Sequence, residues 1–175
     1  MACSQTLAGI AKDCAANMGG IVEAYIANAS DVTAITEASG KVTGITMADS
    51  AKFHKYALRA ATSNMASNYQ VNAENGTLYV QTDLVLVFNK METAKRVEVS
   101  ALAQGELAVI VKDANGLYWY LGKDEPVTLS AGDGLSGTAR ADRNGYSVTL
   151  QDNSKEMPFE ILTGTGGVDI DSIVA

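Results

Sequence analysis

The sequence predicts a mainly β protein: a β-sandwich or barrel with one mid-chain helix and one long hairpin. Three observations carry that prediction. Gly occurs at 16 positions, and most of them punctuate short apolar runs, as turns between many short strands do. Two Asn-Gly pairs, Asn115-Gly116 and Asn144-Gly145, stand between apolar runs, and Asn-Gly marks hairpins because both residues tolerate positive φ. The best helical stretch is Glu92 to Gln104, flanked by a candidate cap at Asn89 and by Gly105 just past its end. With 175 residues the chain suits a single domain that can bury a full core.

The elements follow in order. Leu7, Ile10, Ala11, Cys14 and Ala15 have helical spacing, and Gly19-Gly20 would end such a helix; an irregular N-terminal arm over residues 1–17, packed on a neighbour, is an equal reading. Ile21 to Ala27, Val32 to Thr36 and Val42 to Met47 read as strands, the last two as a Thr-rich hairpin. Ala51 to Ala60 fits helical spacing and alternation alike, and a strand is the preferred reading. Ala94, Val97, Ala101 and Leu102 form the apolar stripe of the helix. Further strands are expected at Leu107–Lys112, Leu117–Leu121, Val127–Leu129, Thr138–Ala141, Tyr146–Leu150 and Phe159–Leu162, with the Gly-rich Ala131–Gly137 as a turn. Residues 164–175 form a tail in which Val168 to Val174 alternates; it is either frayed or donated to a partner's sheet edge.

The stretch from Asn64 to Phe88 is the most unusual. A polar, uncharged arm, Asn64 to Asn72, turns at Ala73-Glu74-Asn75-Gly76 and returns as Thr77 to Phe88. On the return strand Leu78, Val80, Thr82, Leu84, Leu86 and Phe88 fall on one face. Tyr79, Gln81, Asp83 and Asn89 fall on the other, joined by Val85 and Val87. The outward arm is too polar to bury itself, and a hairpin of this length needs something outside its own domain to lie against.

Composition excludes several classes. Hydrophobic residues make up 47%, charged residues 19% and Pro only 2 positions, which rules out global disorder. The net charge of −7 disfavours specific nucleic-acid binding, and either keeps the protein soluble or lets DNA pass without being held. No apolar run approaches the ~18 residues of a membrane span, and the N-terminus lacks the charged start and apolar core of a signal peptide. Cys3 and Cys14 are the only cysteines; reduced thiols in a cytoplasm are the default, and a short disulfide loop between them stays open.

No catalytic constellation emerges, and no cofactor is expected. His54 is the only histidine, so it has no second imidazole for a metal cluster, and nothing pairs it with a cysteine nucleophile. The Ala131–Gly137 stretch lacks the lysine and following helix of a phosphate loop. Asp113, Asp133 and Asp142 start or occupy turns and do not extend into a calcium loop. Trp119 alternates with Tyr118 and Tyr120; core packing by the indole is preferred over a stacking platform.

The layout as a whole, a β-barrel or sandwich with a long polar hairpin, then one helix, then a run of hairpins, resembles the phage tail tube fold, shared with the tubes of contractile injection systems and type VI secretion. The start Met1-Ala2-Cys3, the run Asn17-Met18-Gly19-Gly20-Ile21, and Asn115-Gly116-Leu117-Tyr118-Trp119-Tyr120-Leu121-Gly122 look like those in structural proteins of phages infecting Bacteroides-type gut bacteria. The resemblance covers most of the chain in layout. It implies a virion tail protein, assembled in the host cytoplasm into stacked, usually hexameric rings, with other tail proteins as partners and DNA passing without specific binding. It implies that Asn68, Gln70, Glu74, Gln81 and Asp83 line a lumen. Asn64, Tyr69, Val71, Leu78, Val80, Glu92, Lys95 and Arg96 would lie at subunit boundaries, and the N-terminal arm and the tail would reach the next ring. The alternative is another phage β-sandwich, such as a head decoration protein or a glycan-binding module that uses Tyr118 and Tyr120.

Overall fold

The computed structural model describes residues 7–59 and 61–175. Strands β1 (Ile21–Asn28), β2 (Val32–Ala38), β3 (Lys41–Met47) and β4 (His54–Ala57) come first. The long hairpin is β5 (Asn64–Asn72) and β6 (Thr77–Asn89), and helix α1 (Thr93–Gln104) follows it. Then come β7 (Leu107–Asp113), β8 (Tyr118–Leu121), β9 (Thr128–Leu135), β10 (Gly145–Ser154), β11 (Phe159–Ile161) and the single turn α2 (Ile170–Ile173). They make two sheets. One has seven strands in the order β2-β3-β11-β8-β7-β1-β4; the other has four in the order β5-β6-β10-β9. The mainly β, sandwich-like architecture is therefore as the sequence predicts.

Alternation explains why the sheets stack. Ala24 and Ile26 of β1, Val109 and Val111 of β7, and Leu121 of β8 share one face of the larger sheet. They meet Leu84 and Leu86 of β6 and Val148 and Leu150 of β10 in a single buried cluster. Each Val, Leu or Ile among them contributes roughly 1.5–3 kcal/mol by leaving water. Trp119 packs at the margin of this cluster and donates its indole N–H to Asp113 Oδ2 at 3.2 Å.

The larger sheet is also covered on its other face. Tyr25, Ile110, Tyr120 and Ile161 form a second core with Phe53, Val168, Ile170 and Ile173. The C-terminal tail is thus neither frayed nor donated. It folds back onto its own domain, with Val168 N–H donating to Leu162 O at 2.7 Å and a parallel bridge between Phe53 and Val174. Gly167 makes the reversal fit, since a Cβ there would lie 2.1 Å from the Leu162 carbonyl oxygen.

Three further expectations need correction. Ala131–Gly137 is not a turn: β9 runs through it to Leu135. Gly134 faces the ring of Tyr146 across the strand pair, where a Cβ would sit 3.1 Å from the ring carbons, so glycine here lets an aromatic ring lie flat on the strand. Thr138–Ala141 is not a strand. Asp142 gathers the loop instead, accepting the amides of Thr138 and Ala139 at 2.8 and 2.7 Å. Helix α1 packs through Val99 and Leu102, not through Ala94, Val97 and Ala101, which are exposed. Asn89 does not cap it; Glu92 stands at the N-cap with no side-chain cap bond. Asn144, read as a tight-turn residue, holds the entry to α1 by accepting Lys90 N–H on its carbonyl and Met91 N–H on Oδ1.

Residues 7–17 carry no helix and are exposed, so the helical spacing there does not form a helix and the segment is irregular. Any pairing of Cys14 with Cys3 lies outside the described residues. The arm leaves the body beside the turn between β7 and β8, where Asn115 mimics a strand partner. Asn115 Oδ1 accepts Met18 N–H at 2.8 Å, while its amide donates to Met18 O at 3.0 Å and to Asn17 Oδ1 at 2.9 Å.

Candidate functional site

The four-stranded sheet has β5 and β9 at its two ends, each paired on one side only. Strand β6 has 13 residues because it serves two purposes. Residues Val80 to Asn89 pair with β10 and roof the core; Thr77 to Tyr79 continue past Ser154, the last residue of β10, which pairs with Val80. Beyond that point β5 and β6 have only each other, up to the turn at residues 73–76. Asn72 stabilises that turn, its Oδ1 accepting the amides of Glu74 and Asn75 at 3.0 and 3.1 Å.

The two faces of the hairpin differ. On the core side, Met65 pairs with Leu84 and Ser67 with Thr82. The hydroxyls of Ser67 and Thr82 are bonded at 2.8 Å, so a polar pair sits at this depth without an unmet partner. Further out the same face carries Tyr69 opposite Val80 and Val71 opposite Leu78. Tyr69, Val71 and Leu78 are 54%, 70% and 60% exposed. Three large apolar side chains on one side of a projecting ribbon form an uncovered patch.

The opposite face is polar. Asn68 pairs with Gln81, Ala66 with Asp83 and Gln70 with Tyr79. Strand β10 extends the row, with Asn153 opposite Gln81 and Gln151 opposite Asp83. Asp83 accepts from Gln81 Nε2 at 3.2 and 3.3 Å and from Gln151 Nε2 at 3.1 Å. Toward the base, Asp133 of β9 is paired with Arg143 at 2.6 Å. The structure therefore brings Asn68, Gln70, Gln81 and Asp83 onto one surface, with Glu74 exposed in the tip turn.

The boundary residues divide. Tyr69, Val71 and Leu78 are available to a neighbour, but Val80 is fully buried in its own core and is not. Asn64 lies at the base of β5, on the polar face opposite Val85. Glu92 is paired with Lys90 and with Lys95, the latter at 3.5 Å, and Lys90 holds its carboxyl below the usual carboxylate range. Lys95 also donates to Asn89 O at 2.6 Å, so these charges are engaged within the chain. Arg96 is exposed on α1.

Sequence reasoning missed Gln151, Asn153 and Asp133. The alternation that places Val148 and Leu150 inward does continue to Ser154, but Asp152 and Ser154 occupy inward positions and disguise the strand. Asp152 is buried, with its carboxylate accepting Ser154 Oγ at 2.9 Å. Burial pushes its carboxyl above the usual range, with Ser154 and the Gly122 amide opposing and Asp124 and Glu125 adding to the rise.

The remaining candidates lie apart from this sheet face. Tyr120 is 1% exposed within the second core, so Tyr118 and Tyr120 cannot form a shared stacking platform. His54 is exposed on β4, at a cleft shared with Asp31, Tyr56 and Glu98. Among the described residues, no group of three His, Cys, Asp or Glu side chains is placed to hold a metal, and no helix is long and apolar enough to cross a membrane. No family model matches the chain, and no curated protein or solved structure matches it.

Proposed function

We propose that this chain is a virion structural protein, the subunit of a phage tail tube, which polymerises into stacked rings that form a conduit for DNA ejection. The observation that carries the reading is the outer end of the hairpin: β5 is an open edge, β6 runs on past β10 through Thr77 to Tyr79, one side is apolar at Tyr69, Val71 and Leu78, and the other carries Asn68, Gln70 and Gln81. Such a ribbon is marginal alone and gains a partner for its edge and a cover for its apolar side in an assembly.

The four-stranded sheet supports the same reading. Strand β5 runs toward the hairpin tip and β9 runs away from it, since each strand is antiparallel to the next. Joining β9 of one copy to β5 of the next therefore continues an antiparallel sheet, and a head-to-tail contact of this kind gives a ring when its rotation closes. The polar face then lines the lumen, and the resemblance of the sequence layout to tail tubes implies six copies per ring. In that lumen Asp83 and Glu74 are acidic, and Arg143 is neutralised by Asp133, so DNA meets little attraction.

Electron microscopy of the purified full-length protein at high concentration tests the proposal. Tubes of stacked rings with a central channel are the expected result. Isolated particles of monomer size at every concentration, with the protein absent from source virions, would overturn it.

A further inference from the structure

We infer that Asp83 is a positioning residue that fixes the chemical polarity of the outer face of the four-stranded sheet, by turning the amides of Gln81 and Gln151 so that their carbonyl oxygens point away from it. The geometry requires this orientation. An ionised carboxylate only accepts hydrogen bonds, whereas a glutamine amide can offer either a donor or an acceptor. Gln81 sits two residues before Asp83 on the same strand and spans both carboxylate oxygens; Gln151 reaches the same carboxylate from the directly opposed position on β10. Both NH2 groups are held on Asp83, and both amide oxygens are left for whatever lies outside.

The consequence concerns phosphodiester backbones. Phosphate oxygens are acceptors, and proteins hold them through Arg, Lys, hydroxyl and amide N–H donors. Free glutamines on this face would supply such donors. With Asp83 engaging them, this part of the face turns a carboxylate and carbonyl oxygens to a passing polyanion and offers it fewer donors than two free glutamines would. Low net attraction thus arises from oriented neutral side chains as well as from charge. The orientation stands on the hydrogen bonds alone, while its meaning for DNA rests on the tube reading above.

Two measurements test the inference. In NMR of the full chain, the side-chain amide signals of Gln81 and Gln151 should move together with the titration of the Asp83 carboxyl, and Asp83→Asn should abolish that movement. Amide signals that stay flat while the Asp83 carboxyl titrates would overturn it. The second measurement compares retention of a short DNA duplex at low salt by Asp83→Ala and by the triple variant Asp83→Ala, Gln81→Ala, Gln151→Ala, which carry equal charge. Release of two amide donors predicts about tenfold stronger retention by the single variant. Equal retention would assign the whole effect to charge and refute the positioning role. A protein that forms no tubes but whose amides titrate with Asp83 would count against the tube reading and not against this one.

Discussion

The C-terminal tail and the hairpin tip pose the same problem and solve it differently. Both are short segments with alternating apolar residues and no evident place in the sequence. The tail finds its cover within the chain: Val168, Ile170 and Ile173 are buried against Phe53, Tyr25 and Ile110. The tip does not, and Tyr69, Val71 and Leu78 stay exposed on a ribbon that has outrun its own sheet. Alternation states that one face wants burial. It does not state whether the partner belongs to the same chain, and only the position of the other elements decides that.

Breaking the tail should therefore damage the monomer. Phe53→Ala removes a fully buried ring that touches both the tail and the larger sheet, and should cost about 3–5 kcal/mol, read as a lowered urea midpoint. Ile170→Ala, nearer the rim of the same core, should cost about 2 kcal/mol. Values near zero for both would mean that the tail is not docked in solution.

Asp152 lies two residues before Ser154, where the shared sheet gives way to the free ribbon, and it offers a smaller, pH-dependent test. Its folded carboxyl is raised above the ordinary value, so the folded state disfavours the charged form. The contribution of Asp152 to stability is then fullest below the ordinary carboxylate value and is lost as pH rises from there through the raised folded value. Asp152→Asn should flatten that slope in urea titrations taken across the acidic range. An unchanged slope would place the titrating group elsewhere.

The arm and the tip complete the series. Asn115→Ala loses the contacts that set the exit of the arm and should cost about 1 kcal/mol, with faster exchange of the Met18 amide. The triple change Tyr69→Ser, Val71→Ser, Leu78→Ser should alter monomer stability by less than about 0.5 kcal/mol, because those side chains bury little in the isolated chain. The same variant should lose the ability to form tubes. Stability lost in the monomer would contradict the view that the tip has no partner at home.

How much of this the sequence makes legible follows from where the determinants lie. The hairpin from Asn64 to Asn89 is read almost residue for residue, because its turn and its alternation are local and uninterrupted. The face that carries Asn68, Gln81 and Asp83 is legible for the same reason. The tail is misread because its cover, Phe53 on the chain segment before β4, is more than a hundred residues away. Strand β9 is misread because its glycines serve a cross-strand ring, Tyr146, and look like turn residues until that ring is placed. The stripe of α1 is read correctly at Leu102 and misread at Ala94, Val97 and Ala101, because the core reaches the helix at Val99 and Leu102, a choice made by two sheets and not by the helix. Gln151 and Asn153 are overlooked because Asp152, a buried acid, occupies the inward position between them.

The central claim is that the hairpin gains its missing partner from another copy of the chain, and hydrogen exchange resolved along the chain tests it most directly. In a concentrated sample, backbone amides of β5 from Ser67 to Asn72 and of β9 from Thr128 to Leu135 should become protected relative to a dilute one, while the β7 and β8 amides, already inside a sheet, stay unchanged. Exchange at β5 and β9 that is identical at both concentrations, in a sample known to contain assembled particles, would contradict it.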